Sequence, residues 1–526
     1  MRRCSLALVP VFCALVGVDA LHAQRGTGDW MTSAFDAQRS NWVRNDNKIS
    51  PERMAKPGFD FVWSLKFKNT ARQLNTTTAP ALLDFFIGHR GFRTLAFFGG
   101  SSDRVFAVDS DLARMEWEFS RPTAGAAAGS TLVCPGGMTS AVTRPLTLAY
   151  PMLPLSRGMG RGTPAKSAVG EPHQGAVTIR SGNPIPRPAP PPKPVAAPGG
   201  TAAAAFNPFA PRIQWLMALT GDGKLHSFYV SNGEEPTEAI PFLPPNANAM
   251  GLIAFDNFAY VATSNGCGGA ANGVWALDLT TKKVTQWKSA KNVAGTAGPA
   301  VGPDGTLYVA SGGDLTALAP KTLTPGASYK SSGAEFTSTP VVFEYKGRDL
   351  IAVTSADGRL HLLDAASLGG AALDKSAPYS TPDYAVGSLT SWQDLDGTRW
   401  VLAPTGSAVT AWKVVDKNGK PGLEQGWVSR ELVSPLAPIV VSGVVFALSS
   451  GELRSPDSTL TAAQRAQKSG KAVLYAFDGA TGKELWNSGA RMTSFVHSGG
   501  LAAGGSRVYV ATYDGTQYAF GFPIEH

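Results

Sequence analysis

The sequence predicts an all-β protein, an eight-bladed β-propeller of four-stranded antiparallel blades closed by an N-terminal strand. Three observations support this prediction. A turn motif recurs along the chain, eight apolar strand ends recur with it, and the C-terminal unit lacks a strand that the N-terminal region can supply. Repeats with a period of about 20–50 residues are typical of propellers and solenoids.

The turn motif is clearest in "AFDGATGKELW", residues 476–486, with the pattern Ala-x-Asp-x-x-Thr-Gly-x-x-x-Trp. "AVDSDLARMEW" and "ALDLTTKKVTQW" repeat it from residues 107 and 276. An Asp that ends a strand accepts N–H groups of the turn, and the Trp on the returning strand can pack between sheets and donate its indole N–H. The turn positions are therefore Asp109, Asp278, Asp364 and Asp478. The structural repeat tryptophans are Trp63, Trp117, Trp287 and Trp486.

Eight apolar strand ends define the number of blades. They are "VFAVD" at 105, "LHSFYV" at 225, "VWALD" at 274, "LTALA" at 315, "LHLLD" at 360, "VTAWKV" at 409, "LYAFD" at 474 and "QYAFG" at 517. Several follow an alternating strand and an Asp-Gly turn, which is a strong hairpin signal. Four short antiparallel strands per unit make one blade. Seven blades is the alternative if "LHSFYV" does not mark a blade.

The two ends of the chain complement each other. The last unit stops at "QYAFGFPIEH" after its third strand, and "FDFVWSLKF" around Trp63 precedes the first complete unit. We expect this N-terminal strand to complete the last blade, because ring closure removes sheet edges that would otherwise invite aggregation.

Two insertions interrupt the repeats. Residues 151–211 are rich in Pro, Gly and Ala, which predicts a disordered insertion in blade two. A proline-rich recognition segment is the alternative. Residues 151–212 carry seven basic residues against Glu171, which accounts for most of the net charge of +8. A nucleic-acid face spread over the fold is therefore not expected.

The second insertion is in blade seven. Its residues, 455–470, have the pattern of a short helix capped by Ser458.

The N-terminus has the pattern of a signal peptide over residues 1–23. Arg2 and Arg3 precede an apolar run over residues 6–18, and Ala23 offers a cleavage point. An uncleaved anchor is the alternative. We expect residues 24–526 to form a single propeller domain, monomeric and either periplasmic or secreted, with no transmembrane segment.

The mature chain keeps two of the four cysteines, Cys134 and Cys267. An exported protein with one pair permits one disulfide, and both cysteines are expected on the same propeller face. A structural disulfide is the first interpretation. Two separate thiols and a redox-active or cofactor-contacting pair are the alternatives.

The turns, the eight units and the closing strand resemble the PQQ-repeat (quinoprotein-like) propellers. The segments "GDWMTSAFDAQRSNWV" and "VYVATYDGTQYAFGFP" also look like the opening and closing of such proteins. The resemblance covers nearly all of the mature chain. It implies the architecture and leaves the activity open, since that superfamily contains both quinoprotein dehydrogenases and non-catalytic members. The adjacent cysteine pair of the dehydrogenases and a Cys-x-x-Cys-His haem motif are both missing from the sequence.

We expect a binding scaffold that uses its axial face for a small-molecule or protein ligand whose identity is unknown. The alternative is a dehydrogenase of alcohols or sugars that would hold PQQ with calcium. Four candidate funnel residues lie where an inner strand begins and one lies where an inner strand ends, and ring-shaped folds bind small ligands in their axial funnel. They are Asn75, Thr76, Thr77, Arg144 and His497. A structural histidine is the alternative for His497. No catalytic residue, metal site or cofactor is assigned.

Overall fold

The computed structural model describes residues 29–88, 91–121, 130–146, 148, 214–382, 384–498 and 500–523. The predicted signal peptide, residues 1–23, and the predicted insertion, residues 151–211, lie outside the described residues. No helix within the described ranges is long and apolar enough to cross a membrane.

The described residues form eight sheets, one per blade, which confirms the predicted eight-bladed propeller. The chain first forms β1 (Trp42–Val43), helix α1 (Pro51–Met54) and β2 (Asp60–Lys66), whose strands join later blades. Blade one is β3 (Ala81–Gly88), β4 (Gly91–Gly100), β5 (Arg104–Asp109) and β6 (Arg114–Ser120). Blade two contains β7 (Trp215–Leu219), β8 (Lys224–Tyr229) and β9 (Ile240–Pro241). Blade three is β10 (Asn248–Phe255), β11 (Phe258–Ser264), β12 (Gly273–Asp278) and β13 (Val284–Lys288), with a 3₁₀ turn at Cys267–Gly269.

The second half of the ring follows the same order from inner to outer strand. Blade four is β14 (Ala300–Val301), β15 (Leu307–Ser311), β16 (Asp314–Leu318) and β17 (Pro325–Lys330). Blade five is β18 (Val341–Tyr345), β19 (Arg348–Thr354), β20 (Leu360–Asp364) and β21 (Asp374–Lys375), with a 3₁₀ turn at Ala365–Ser367. Blade six is β22 (Thr390–Gln393), β23 (Arg399–Pro404), β24 (Val409–Lys417) and β25 (Lys420–Val428). Blade seven is β26 (Ile439–Val441), β27 (Val444–Ser449), β28 (Val473–Asp478) and β29 (Glu484–Asn487), with α2 (Ala462–Lys468) before β28. Blade eight is β30 (Leu501–Gly504), β31 (Arg507–Ala511) and β32 (Thr516–Gly521), completed by β2.

Two blades depart from the four-stranded antiparallel pattern. In blade two, the inner position is a single antiparallel bridge between Thr143 and Met217. In blade seven, β1 adds a fifth strand that runs parallel to β26. The motif pattern did not predict β1, because this two-residue strand is defined only by its partner.

The closing strand is where the sequence places it. β2 pairs antiparallel with β32, and Trp63 lies opposite Ala519. The indole N–H of Trp63 donates to the carbonyl of Ser110 in blade one at 2.8 Å. β2 therefore completes blade eight and joins it to blade one.

The same tryptophan contact recurs between other blades. Trp117 of blade one donates to the carbonyl of Val230 in blade two at 2.9 Å, and Trp427 of blade six donates to Gly479 in blade seven at 2.8 Å. A Cβ added at Gly482 would come within 2.7 Å of the Trp427 ring. The glycine of the repeat turn is thus needed where a tryptophan of the preceding blade packs on it. Trp287 and Trp486 are half-buried.

The turn aspartates accept backbone N–H groups. Asp109 accepts from residues 111 and 112, Asp278 from residues 280 and 281, Asp364 from residue 366, and Asp478 from residues 480 and 481. These carboxylates hold the hairpin turns in shape.

Both faces of the blades are buried between neighbours. Phe97 and Phe98 follow each other on β4, and both are fully buried. Phe97 packs in one cluster with Phe228 of blade two, and Phe98 packs in another with Phe520 of blade eight. Successive side chains of a strand point to opposite faces, so each blade contributes to two layers of the core.

An N-terminal segment over residues 29–46, which we call the axial segment, runs around the ring axis and contacts every blade. Its hydrogen bonds to blades one to eight in order are Trp30 to Leu82, Met31 to Arg144, Thr32 to Leu252, Ala37 to Val301, Gln38 to Val342, Ser40 to Ser391, Asn41 to Val440 and Asp46 to Ser506. Each of these bonds satisfies a polar group of a blade or of the segment itself. The axial segment therefore joins all eight blades near the axis, whereas β2 joins blade eight to blade one.

The predicted cap of the short helix in blade seven is wrong. α2 begins after Thr461, not after Ser458. Thr461 accepts from the backbone N–H of Gln464, and the Gln464 side chain accepts from the backbone N–H of Thr461. This reciprocal pair satisfies two N–H groups at the helix start. Ser458 does not form such a pair.

A buried histidine in blade five makes the stability of the fold depend on pH. His361 is bonded through Nδ1 to the hydroxyl of Tyr329 at 3.0 Å and through Nε2 to Ser355 at 2.8 Å. Burial, reinforced by the charge of Lys375, lowers the pKa of His361 to about 4. Because its pKa in the unfolded chain is about 6.5, the stabilisation from keeping this ring neutral is complete above that pH and is lost as pH falls towards 4.

We expect wild type to lose roughly 2–3 kcal/mol of unfolding free energy relative to His361→Gln between about pH 7 and about pH 4. Urea unfolding of both proteins across this range measures the difference. Parallel pH profiles for the two proteins would show that His361 does not titrate with folding.

Candidate functional site

The beginnings of the inner strands surround a funnel on the ring axis. Its deep part, which we call the axial cavity, has a volume of ≈ 110 Å³. Its wider outer part, which we call the mouth, has a volume of ≈ 760 Å³. The two parts share lining residues, including Leu74, Thr296, Ala437 and His497, and so form one continuous space.

Small and hydroxyl-bearing side chains line the axial cavity. They include Thr32, Ser33, Thr76, Thr77, Thr139, Ser140, Thr296, Ser388 and Ser498. Thr32 and Ser33 belong to the axial segment, which therefore closes part of the space that the inner strands leave. Hydroxyl groups both donate and accept hydrogen bonds. This lining therefore suits ligands that donate hydrogen bonds and ligands that accept them.

Four of the five funnel residues predicted from the sequence line the axial cavity. Asn75, Thr76, Thr77 and His497 are all on its wall. Asn75 accepts from the hydroxyl of Ser498 at 3.1 Å, which links blade one to blade eight at the wall. Thr77 is almost fully buried and accepts from the side-chain amide of Gln517.

Arg144, the fifth predicted residue, is not part of the funnel lining. Its side chain is 4% exposed. It donates to the carboxylate of Asp29 and to the carbonyl of Leu82. Arg144 therefore anchors the start of the axial segment. Its position at the end of an inner strand, and not at its beginning, places it away from the funnel.

Two charged residues of the mouth, Glu452 and Arg454, are absent from the sequence-based candidates. They come from the long connection between β27 and β28 that also contains α2. Both residues precede residues 455–470, the insertion predicted in blade seven. The repeat pattern does not extend into this connection, so it gave no basis for predicting that their side chains approach the axis.

Glu452 connects Arg454 to His497. One carboxylate oxygen of Glu452 lies 2.6 Å from His497 Nδ1, and the other lies 3.1 Å from Arg454 Nε. Burial raises the pKa of Glu452, but the hydrogen bond and charge of His497, together with the charge of Arg454, lower it more. The pKa of this carboxyl therefore lies below its usual value, and the group is ionised at neutral pH.

Cys134 and Cys267 form a disulfide near the mouth, with their Cα atoms 5.4 Å apart. The bond joins the loop before the inner strand of blade two to the 3₁₀ turn of blade three. Leu132, two residues before Cys134, lines the mouth. The disulfide therefore holds a part of the funnel wall in place.

We expect the double variant Cys134→Ser with Cys267→Ser to be less stable than wild type by about 2–4 kcal/mol. The bonded cysteines are 133 residues apart, and a cross-link over so long a stretch removes much conformational freedom from the unfolded chain. Denaturant unfolding with and without a thiol reductant measures the effect. The reductant should destabilise wild type and leave the double variant unchanged. Equal stability of the two oxidised proteins would contradict the expectation.

The described residues do not fit a calcium-bound quinone. Such a group needs several carboxylate and amide oxygens that converge on one point. In the described ranges, no three His, Cys, Asp or Glu side chains are close enough together to hold a metal ion. The carboxylate among the described lining residues, Glu452, already uses both oxygens on His497 and Arg454.

Comparison with solved structures agrees with the fold. The chain is similar to the quinohemoprotein alcohol dehydrogenase from Comamonas testosteroni, with 13% identity, a TM-score of 0.55, and coverage of 95% of this chain and 81% of that chain. It is also similar to the quinohemoprotein alcohol dehydrogenase ADHIIG from Pseudomonas putida HK5, with 10% identity, a TM-score of 0.55 and the same coverage of 95% and 81%. A europium-containing methanol dehydrogenase matches with 11% identity and a TM-score of 0.51, over 94% of this chain and 89% of that chain.

The protein is an eight-bladed β-propeller with a polar axial funnel, and its fold is similar to that of the quinohemoprotein alcohol dehydrogenases. No protein-family model matches the sequence, and no curated protein matches it either. At these levels of identity the likeness to solved structures shows the fold, and the function has to be argued from the site.

Proposed function

We propose that the protein is an exported binding propeller that takes a small ligand, or a short part of a partner, into its axial funnel. The main observation behind this proposal is the funnel itself: a continuous space lined by hydroxyl groups, with a buried, fully bonded carboxylate at its mouth. Pockets with a few placed polar groups are typical binding sites. The disulfide and the signal-like N-terminus support export.

The alternative is a PQQ-dependent dehydrogenase of alcohols or sugars. Its support is the likeness in fold to proteins of that activity. The donor set of the described funnel opposes it, because Glu452 is the one carboxylate among the described lining residues, whereas a calcium ion takes several oxygen ligands.

A variant that fills the funnel tests the proposal. Ala437 lies where the axial cavity meets the mouth, so Ala437→Trp should exclude a ligand. Ala480→Trp, in an exposed turn of blade seven, is the matched control. A panel of sugars, amino acids and carboxylic acids is screened by thermal unfolding, since a ligand that binds the folded state raises the melting temperature.

We expect at least one compound to stabilise wild type and Ala480→Trp but not Ala437→Trp. In parallel, PQQ and Ca²⁺ are added to the purified protein with ethanol or glucose, and reduction of an electron-accepting dye is followed. Dye reduction would favour the dehydrogenase. Equal responses of wild type and Ala437→Trp to every compound would contradict binding in the funnel.

A further inference from the structure

We propose that Arg454 and His497 form a binding site for the carboxylate of a small apolar acid. This inference rests on the proposed function, since it names the class of ligand that the funnel takes. Its basis is the way in which Glu452 holds the other two side chains at the mouth.

Glu452 is buried, and each of its carboxylate oxygens is bonded to a neighbouring side chain. Its side chain is 4% exposed, and its two oxygens are bonded to His497 Nδ1 and Arg454 Nε. A buried carboxylate with both oxygens bonded acts as a fixed support. It fixes the imidazole of His497 and the guanidinium of Arg454 in orientation relative to each other.

Each supported side chain keeps polar atoms that face solvent. The side chains of His497 and Arg454 are 28% and 29% exposed, and both residues line the mouth. Within the described residues, Nε2 of His497 and Nη2 of Arg454 have no hydrogen-bond partner, and neither is a buried atom. A guanidinium N–H and a protonated imidazole N–H are strong donors to carboxylates.

The charges of the described lining favour an anion. The charged residues are Glu452, Arg454 and Arg465, which leave an excess of one positive charge. The guanidinium of Arg465 is occupied by backbone carbonyls, including that of Ser455 at 2.8 Å. The phenol of Tyr384, whose pKa is raised by burial, is neutral and donates to the carbonyl of Pro435. Asp383 lies outside the described residues. A cleft with a net positive charge concentrates anions.

The rest of the mouth is apolar, which defines the body of the ligand. The apolar lining residues are Leu74, Leu132, Pro382, Val386, Leu436 and Pro456. Apolar surface next to the oriented guanidinium of Arg454 and imidazole of His497 suits an acid whose carboxylate binds these two groups and whose ring or chain contacts the wall. A free sugar would gain less from such a wall.

Benzoate and benzamide are matched probes of this site, because they share shape and differ in charge. We expect calorimetric titration to show that wild type binds benzoate at least about tenfold more tightly than benzamide, as one charge-assisted hydrogen bond provides. Arg454→Met and His497→Gln should each weaken benzoate binding at least about tenfold. Arg491 is exposed and lies between β29 and β30. The control variant Arg491→Met should bind benzoate as wild type does. Circular dichroism and melting temperature verify that each variant is folded, and the two variants test the site independently.

Equal binding of benzoate and benzamide, or unchanged benzoate binding in both variants, would overturn the inference. So would a lack of benzoate binding to wild type. Failure of this inference alone is distinguishable from failure of the proposed function: if neutral sugars stabilise wild type but not Ala437→Trp, the funnel binds ligands and only the carboxylate site is wrong. If no compound distinguishes wild type from Ala437→Trp, both proposals are wrong.

Discussion

A chain without residues 24–68 is expected to lose its cooperative unfolding transition. The deletion removes β2, the outer strand of blade eight, and the axial segment, which contacts all eight blades. Blade eight would then expose a free edge to solvent, and the polar groups that bond to the axial segment would lose their partners. Thermal unfolding followed by circular dichroism measures the effect. A truncated protein with the melting temperature of the full-length chain would contradict it.

A single substitution tests the closing strand within the intact chain. Trp63 is 7% exposed and packs between blades eight and one. Trp63→Ala should lower the free energy of unfolding by about 3–5 kcal/mol, because it removes a buried indole and leaves a cavity. Phe61→Ala is the matched control on the same strand, because Phe61 is 36% exposed. We expect the control to cost less than about 1 kcal/mol. Similar losses for both variants would show that the closing strand is not held by Trp63.

Arg39→Met is expected to cost about 3–5 kcal/mol of unfolding free energy. Arg39 lies in the axial segment and is fully buried. Its guanidinium donates to the carbonyls of Pro299, Gly251 and Ser33 at 2.9, 2.8 and 2.7 Å. Burial lowers the pKa of Arg39 to about 9, partly offset by the charge of Asp36, so the group is still charged at neutral pH. Methionine retains the bulk of the side chain but leaves two buried carbonyls, those of Pro299 and Gly251, and the partly buried carbonyl of Ser33 without this donor.

Urea unfolding of Arg39→Met, compared with Arg53→Met, measures the contribution of the buried guanidinium. Arg53 is exposed on α1, so its replacement should change the stability by less than about 0.5 kcal/mol. If Arg39→Met is as stable as Arg53→Met, the axial segment does not hold the blades through this side chain.

The number of blades and the closing strand could be predicted because both are repeated or complementary local patterns. Hairpin turns such as "DGATGKELW" specify their own shape through an Asp and a Gly. The missing fourth strand at the C-terminus identified its partner near Trp63. The blade count needs only the residues within each unit, and the closing strand needs a count of strands at the two chain ends together with the rule that sheet edges are covered.

The candidate site was predicted in part for the same reason. Asn75, Thr76, Thr77 and His497 lie where inner strands begin, and that position follows from counting strands. Arg144 lies at the other end of an inner strand, where it bonds to Asp29. Strand counting identifies which strand is inner, but it does not show what a neighbouring segment places at each end.

The sequence by itself determined the propeller, the number of its blades and the strand that closes it, because these depend on local turns and periodic burial. The tertiary structure alone decided the path of the axial segment, the burial of Arg39 and the meeting of Glu452 with His497, 45 residues apart. These features arise between segments that have no repeated pattern in common. Their geometry is set by the ring as a whole, which brings the inner strands and the blade-seven insertion to one axis.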